Sequence, residues 1–122
     1  MIGLGTDVVE IPRFREVIAR TPSMVDRLFT VAEQTYAAQQ HDPAPRLAVR
    51  FAAKEAVLKA LGLGLGAMPL NEIEVVRDAE SGRPTLLMHG RALDVANDHR
   101  VNEWKVSLSH TELIAQATVI AL

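Results

Sequence analysis

The chain has 122 residues, 48% of them hydrophobic and 23% charged, with a net charge of −2. That is the length and balance of one globular domain over residues 1–122 with room for a real core, and bulk charge of this kind attracts neither nucleic acid nor a membrane surface. The absence of cysteine removes disulfides, thiolate metal sites and a cysteine nucleophile together.

Aromatic residues make up only 4% of the chain, too few for a base-stacking surface. The first residues carry no basic stretch and reach Asp7 too early for a signal peptide, and no apolar run approaches the ~20 residues of a membrane span. A cytoplasmic protein is expected.

Residues 1–9 alternate with period two, which predicts a strand. Ile2, Leu4, Thr6 and Val8 point one way; Gly3, Gly5, Asp7 and Val9 point the other. Two glycines leave the Asp7 face bare. They serve either the close approach of a ligand or the packing of a helix, and the sequence leaves both open. Pro12 suits a first helical turn, and a short helix is expected over 13–20, ended by Pro22. Arg13, Arg15, Arg20 and Arg27 against Glu16 and Asp26 make a local basic patch, a solvated face or a surface that steers an acidic protein partner. Thr30-Val31-Ala32-Glu33 is a capping-box signature that opens a helix to about residue 40.

The stretch 46–66 is the most informative. Ala, Leu, Lys, Glu and Arg dominate it, Pro43 and Pro45 mark its upstream limit, and Gly62 supplies a stop. Arg46, Arg50 and Lys54 form one i, i+4 row; Glu55 and Lys59 form another on roughly the opposite side, in the company of Ala48 and Ala52. Leu47, Phe51 and Leu58 lie between the rows. On spacing alone Glu55 and Lys59 read as an ordinary surface pair worth ~0.2–0.5 kcal/mol. The remainder of the helix is too apolar for that, so Lys54, Glu55 and Lys59 need partners. Gly62, Gly64 and Gly66 follow a helix rather than a strand, which excludes a Rossmann or phosphate-loop reading.

Downstream, short strands are expected over 73–77 and 85–89 around the turn that holds Gly82, Arg83 and Pro84, then a helix over 91–97. Residues 104–110 alternate, with Trp104, Val106, Leu108 and His110 on one side, and a final strand over 114–122 shows a small apolar face of Ala115, Ala117, Val119 and Ala121. The order predicts an α+β fold, a mainly antiparallel sheet packed against a long central helix.

Asp7, Glu55, Lys59 and the segment Ser109-His110-Thr111 are the chemistry-bearing candidates. Two carboxylates without cysteine suit Mg²⁺, which pairs one or two carboxylates with substrate phosphates, and nearby cations would hold phosphate charge. Phosphoryl-type transfer is the implied chemistry. A serine hydrolase built on Ser109 and His110 is disfavoured: no nucleophile elbow surrounds Ser109, and adjacent strand residues face opposite ways.

Taken in order, the G-x-G-x-D opening with Ile11 and Arg13, Arg50-Phe51-Ala52-Ala53-Lys54-Glu55-Ala56 with Lys59 and Ala60, Gly82-Arg83-Pro84, and Ser109-His110-Thr111 with Ala115, Ala117 and Val119 resemble the holo-acyl-carrier-protein synthase family, the short phosphopantetheinyl transferases. The resemblance spans nearly the whole chain. It implies transfer of the phosphopantetheine arm of coenzyme A to a serine of apo-acyl carrier protein. It implies Asp7 and Glu55 as Mg²⁺ ligands, Lys59 at the phosphates, and Glu55, directly or through a metal-bound water, as base. Arg50, Gly82, Arg83, Pro84, His110 and Thr111 match contacts to the nucleotide part of coenzyme A, and Arg13 matches the carrier docking site. A homotrimer with active sites between subunits is also implied. Two other readings, a coenzyme A binder without catalysis and an interaction module built on the arginine helix, need no paired Asp7 and Glu55.

Overall fold

A computed structural model describes all 122 residues. The chain opens with strand β1 (Gly3–Glu10), which runs directly into helix α1 (Ile11–Arg20) with Pro12 in its first turn. Helix α2 (Ser23–Leu28) follows at once. It is only six residues long, and the sequence reading gives residues 23–28 no element of their own. Helix α3 (Val31–Ala38) starts at the expected capping box: the Thr30 hydroxyl accepts from the Glu33 amide and the Glu33 carboxylate accepts from the Thr30 amide.

The central helix α4 (Ala44–Ala60) starts two residues earlier than residue 46. Pro45 sits inside its first turn, where a missing N–H costs nothing, and Asp42 Oδ1 accepts from the Ala44 amide at 3.1 Å. Beyond it come β2 (Ile73–Arg77), β3 (Pro84–Met88), helix α5 (Gly90–Asp98), β4 (Trp104–His110) and β5 (Ile114–Ala121).

The strands form two antiparallel sheets rather than one. β5 lies between β1 and β4, and β2 pairs with β3. The first and last strands are therefore neighbours, with Asp7 opposite Ala117 and Gly3 opposite Ala121. Ala115, Ala117, Val119 and Ala121 are fully buried on the inner face, the last three in one core with Ala52, Ala53 and Ala56 of α4. This settles what Gly3 and Gly5 are for. A Cβ on Gly3 would stand 1.7 Å from the Ala60 carbonyl oxygen, and one on Gly5 1.9 Å from that of Ala56. The glycines admit the helix backbone, and β1 lies on α4 more closely than any side chain would allow.

A second core gathers Ile11, Phe14, Phe29 and Leu47 between α1, α3 and α4, with the Phe14 and Phe51 rings 5.6 Å apart. No helix is long and apolar enough to cross a membrane.

Candidate active site

The tight β1–α4 contact decides where the first set of candidate residues meets. Asp7 leaves β1 two residues beyond Gly5, at the level of the α4 turn that carries Glu55 and Lys59. Lys59 Nζ donates to Asp7 Oδ1 at 2.8 Å and to the Thr6 carbonyl at 3.1 Å. Glu55 is half-buried beside them. Burial pushes its carboxyl above the usual glutamate range, the negative charge of Asp7 pushes it further, and Lys59 offsets part of that. Two carboxylates thus face one another across a gap that a single ammonium only partly neutralises.

Asp7 and Glu55 open onto a cavity of about 420 Å³ lined also by Arg13, Phe14, Val17 and Phe51. No group of three or more His, Asp or Glu side chains converges anywhere in the chain. A cation at this point would take two protein carboxylates and leave its other positions to water or substrate oxygens. Mg²⁺ accepts that donor set, and the mutual repulsion of Asp7 and Glu55 is what a divalent ion would relieve.

The second set gathers on the other flank of α4. Arg50 and Glu55 are five residues apart, so they project about 140° from each other around the helix axis. Arg50, Gly82, Arg83, Pro84 and His110 line a larger cavity of about 800 Å³, walled by α3, α4, the β2–β3 turn and β4. Gly82 takes φ +73° at the turn, and Asp78 holds that turn by accepting from the amides of Glu80 and Ser81 at 2.9 Å each. Those two bonds keep the Asp78 carboxyl below its usual range and hold it on its own turn, where it makes no ion pair with the arginines. Arg50 is 6% exposed, and its Nε has no hydrogen-bond partner. Burial lowers its pKa from a value so high that the guanidinium stays charged.

Thr111 is the candidate that stands apart from this wall. Its hydroxyl accepts from the amides of Leu113 and Ile114 at the β4–β5 tip, next to His110. Among the cavity residues that the sequence reading does not name as site residues are Tyr36, Arg46 and Arg77. Arg46 had a signal, its i, i+4 spacing from Arg50. Tyr36 and Arg77 had none, because they reach the cavity from α3 and from the end of β2.

The family model of the 4'-phosphopantetheinyl transferase superfamily matches residues 3–117. The chain belongs to this superfamily. It is similar to the holo-[acyl-carrier-protein] synthase of Moorella thermoacetica, at 44% identity over 98% of this chain and 93% of that one. Among solved structures it is similar to the holo-[acyl-carrier-protein] synthase of Neisseria meningitidis, with TM-score 0.90 and 31% identity over 100% and 99% of the two chains. It is similar also to that of Bacillus anthracis, whose structure is a complex with CoA (3',5'-ADP), with TM-score 0.81 and 28% identity over 98% and 95%. In this superfamily member, then, the carboxylates Asp7 and Glu55 and the arginine set line different cavities on two flanks of one helix.

Proposed function

We propose that this superfamily member moves the phosphopantetheine arm of coenzyme A onto a serine hydroxyl of an apo-acyl carrier protein, with residues 1–122 acting as one catalytic domain. The carrier serine oxygen forms a bond to the phosphorus that bears pantetheine. The bond from that phosphorus to the oxygen shared with the adenylate half breaks, and adenosine 3',5'-bisphosphate leaves. The observation that carries this reading is the Asp7–Glu55–Lys59 cluster: two opposed carboxylates, one held protonatable above its usual range, with an ammonium between strand and helix.

Glu55, directly or through a water, takes the serine proton. Lys59, with its side chain 52% exposed, reaches from Asp7 to the leaving phosphate and neutralises its charge. A Mg²⁺ ion held by Asp7 and Glu55 would supply charge neutralisation at the pyrophosphate. Arg50, Gly82, Arg83, Pro84 and His110 receive the nucleotide half, with Thr111 at the edge of that site. Arg13, beside the carboxylates, meets the acidic carrier.

Both cavities must contribute to one coenzyme A. A homotrimer does this by setting the arginine cavity of one subunit against the carboxylates of its neighbour. The outer face of β1 and the residue before it support self-association: Ile2, Leu4 and Val8 are 42%, 57% and 59% exposed. Coenzyme A and a carrier protein as co-substrates assign the reaction to the cytoplasm.

The test is the intact mass of an apo-acyl carrier protein incubated with this protein, coenzyme A and Mg²⁺, with an EDTA control. A metal-dependent gain of one phosphopantetheine, lost in Glu55→Gln, supports the reading. No gain from a folded sample with several carriers overturns it and leaves a coenzyme A binder.

A further inference from the structure

The larger cavity holds an arrangement that the transfer reaction does not by itself account for. Three guanidinium groups surround one phenol ring: Arg50 lies 4.6 Å, Arg46 5.4 Å and Arg77 5.9 Å from the centroid of Tyr36. Arg77 Nη1 also donates to the Tyr36 hydroxyl at 2.8 Å. None of the three arginines takes part in an ion pair anywhere in the chain. Arg50 donates instead to the Arg46 carbonyl, and Arg77 to the Gly82 carbonyl. The Nε atoms of Arg46 and Arg50 are buried without partners.

Clustered guanidiniums are ordinarily held by carboxylates, which cancel the charge they organise. The cavity wall includes two, and both are engaged elsewhere: Asp78 by its own turn, Glu103 by Lys105 at 3.0 Å. Tyr36 does the holding instead. An aromatic face attracts each guanidinium by its quadrupole, and the phenol oxygen fixes one of them, yet the ring carries no charge. The three guanidiniums are therefore oriented without an ion pair of their own, the Glu33 carboxylate attracting Arg50 while it is paired with Lys54, and a compact polyanion would complete their hydrogen bonds.

We propose that Tyr36 is a positioning residue for coenzyme A: it holds Arg46, Arg50 and Arg77 poised for the phosphomonoester on the ribose, and so sets the preference for the 3'-phosphorylated nucleotide. The assignment rests on the coenzyme A reading above. Tyr36 itself touches no reacting atom; its effect passes through the three arginines.

The experiment compares unaltered protein with Tyr36→Leu, which removes the ring, and Tyr36→Phe, which keeps the ring and loses the Arg77 bond. Calorimetry measures binding of adenosine 3',5'-bisphosphate and of adenosine 5'-monophosphate, and kinetics measures KM and kcat for coenzyme A and dephospho-coenzyme A. Tyr36→Leu should weaken adenosine 3',5'-bisphosphate roughly tenfold and raise KM for coenzyme A by a similar factor, with kcat within about twofold. Tyr36→Phe should fall between the two proteins, and both variants should leave adenosine 5'-monophosphate and dephospho-coenzyme A almost unchanged. Equal losses with and without the 3'-phosphate, or a fall in kcat at constant KM, overturn the assignment to Tyr36 alone. Failure of the unaltered protein to bind either nucleotide overturns it together with the coenzyme A reading.

Discussion

Lys54 Nζ donates to Glu33 Oε1 at 2.7 Å, and neither side chain has any exposed surface. The same carboxylate accepts from the Thr30 amide through Oε1 and from the Val75 amide through Oε2, each at 2.9 Å. The ammonium completes its shell on the carbonyls of Leu70 and Ile73. One ion pair therefore ties α3, α4 and β2 together. Breaking it leaves a buried charge alone. Lys54→Met should lose about 3–5 kcal/mol in urea unfolding. The double variant Lys54→Met/Glu33→Leu should lose clearly less than the sum of the two single changes, because no orphan charge remains. Additive losses would show that the pair is not the unit of stability.

That pair also marks how far the sequence could be read. The element types were legible from a period of two in β1 and β5 and from helix-forming composition with its stop signals in α4. Lys54 was legible as a charge needing a partner, but its partner was not. Glu33 is fully explained at the local level by its capping box, and nothing in the sequence says that its second oxygen is free to join a strand 42 residues away. The residues themselves marked Asp7, Glu55 and Lys59 as candidates, the family resemblance gave them roles, and the strand–helix contact at Gly5 explains why Asp7 and Lys59 meet. Pairing of the first and last strands, the second sheet, and the entry of Tyr36 and Arg77 into the arginine cavity all depend on tertiary neighbours.

Gly5 and Gly62 make a paired test of what glycine does in this chain. A Cβ on Gly5 meets backbone atoms of α4, which cannot rotate aside, so Gly5→Ala should cost about 3 kcal/mol or more. It should also lower coenzyme A transfer through displacement of Asp7 from Lys59. Gly62 has φ +69° and open space around it. Gly62→Ala should cost about 1 kcal/mol from the backbone alone, with activity retained. Thermal unfolding and the carrier mass assay on both variants check this; equal behaviour of the two would refute the close-packing account.

Arg13 and Arg15 sit two residues apart on α1 and should not be equivalent. Arg15 is tied to Asp42 at 2.6 Å, whereas Arg13 lines the cavity beside Asp7 and Glu55. Arg13→Glu should raise KM for the acidic carrier roughly tenfold at low salt with little change in KM for coenzyme A. The difference should shrink above ~0.15 M salt, where screening acts over ~8 Å. Arg15→Ala should change carrier KM by less. A salt-independent effect at Arg13 would argue for a packing role instead.

Glu55 offers a test by pH and by metal. Its carboxyl is raised first by burial and then by Asp7, so the folded chain binds this proton more tightly than the unfolded chain does. The contribution to stability is complete below the unfolded value of ~4.3 and is lost as pH rises through the folded value. In metal-free buffer Glu55→Gln should therefore melt above the unaltered protein at pH 8, and the two should converge below about pH 4. Glu55 is only half-buried, so solvent screening limits the gain to a few degrees. Added Mg²⁺ should reverse the order: it stabilises the unaltered protein by neutralising both carboxylates, and has far less to bind in Glu55→Gln. A Glu55→Gln protein that melts no higher at pH 8, or responds to Mg²⁺ as the unaltered protein does, would mean that Asp7 and Glu55 do not share a cation site.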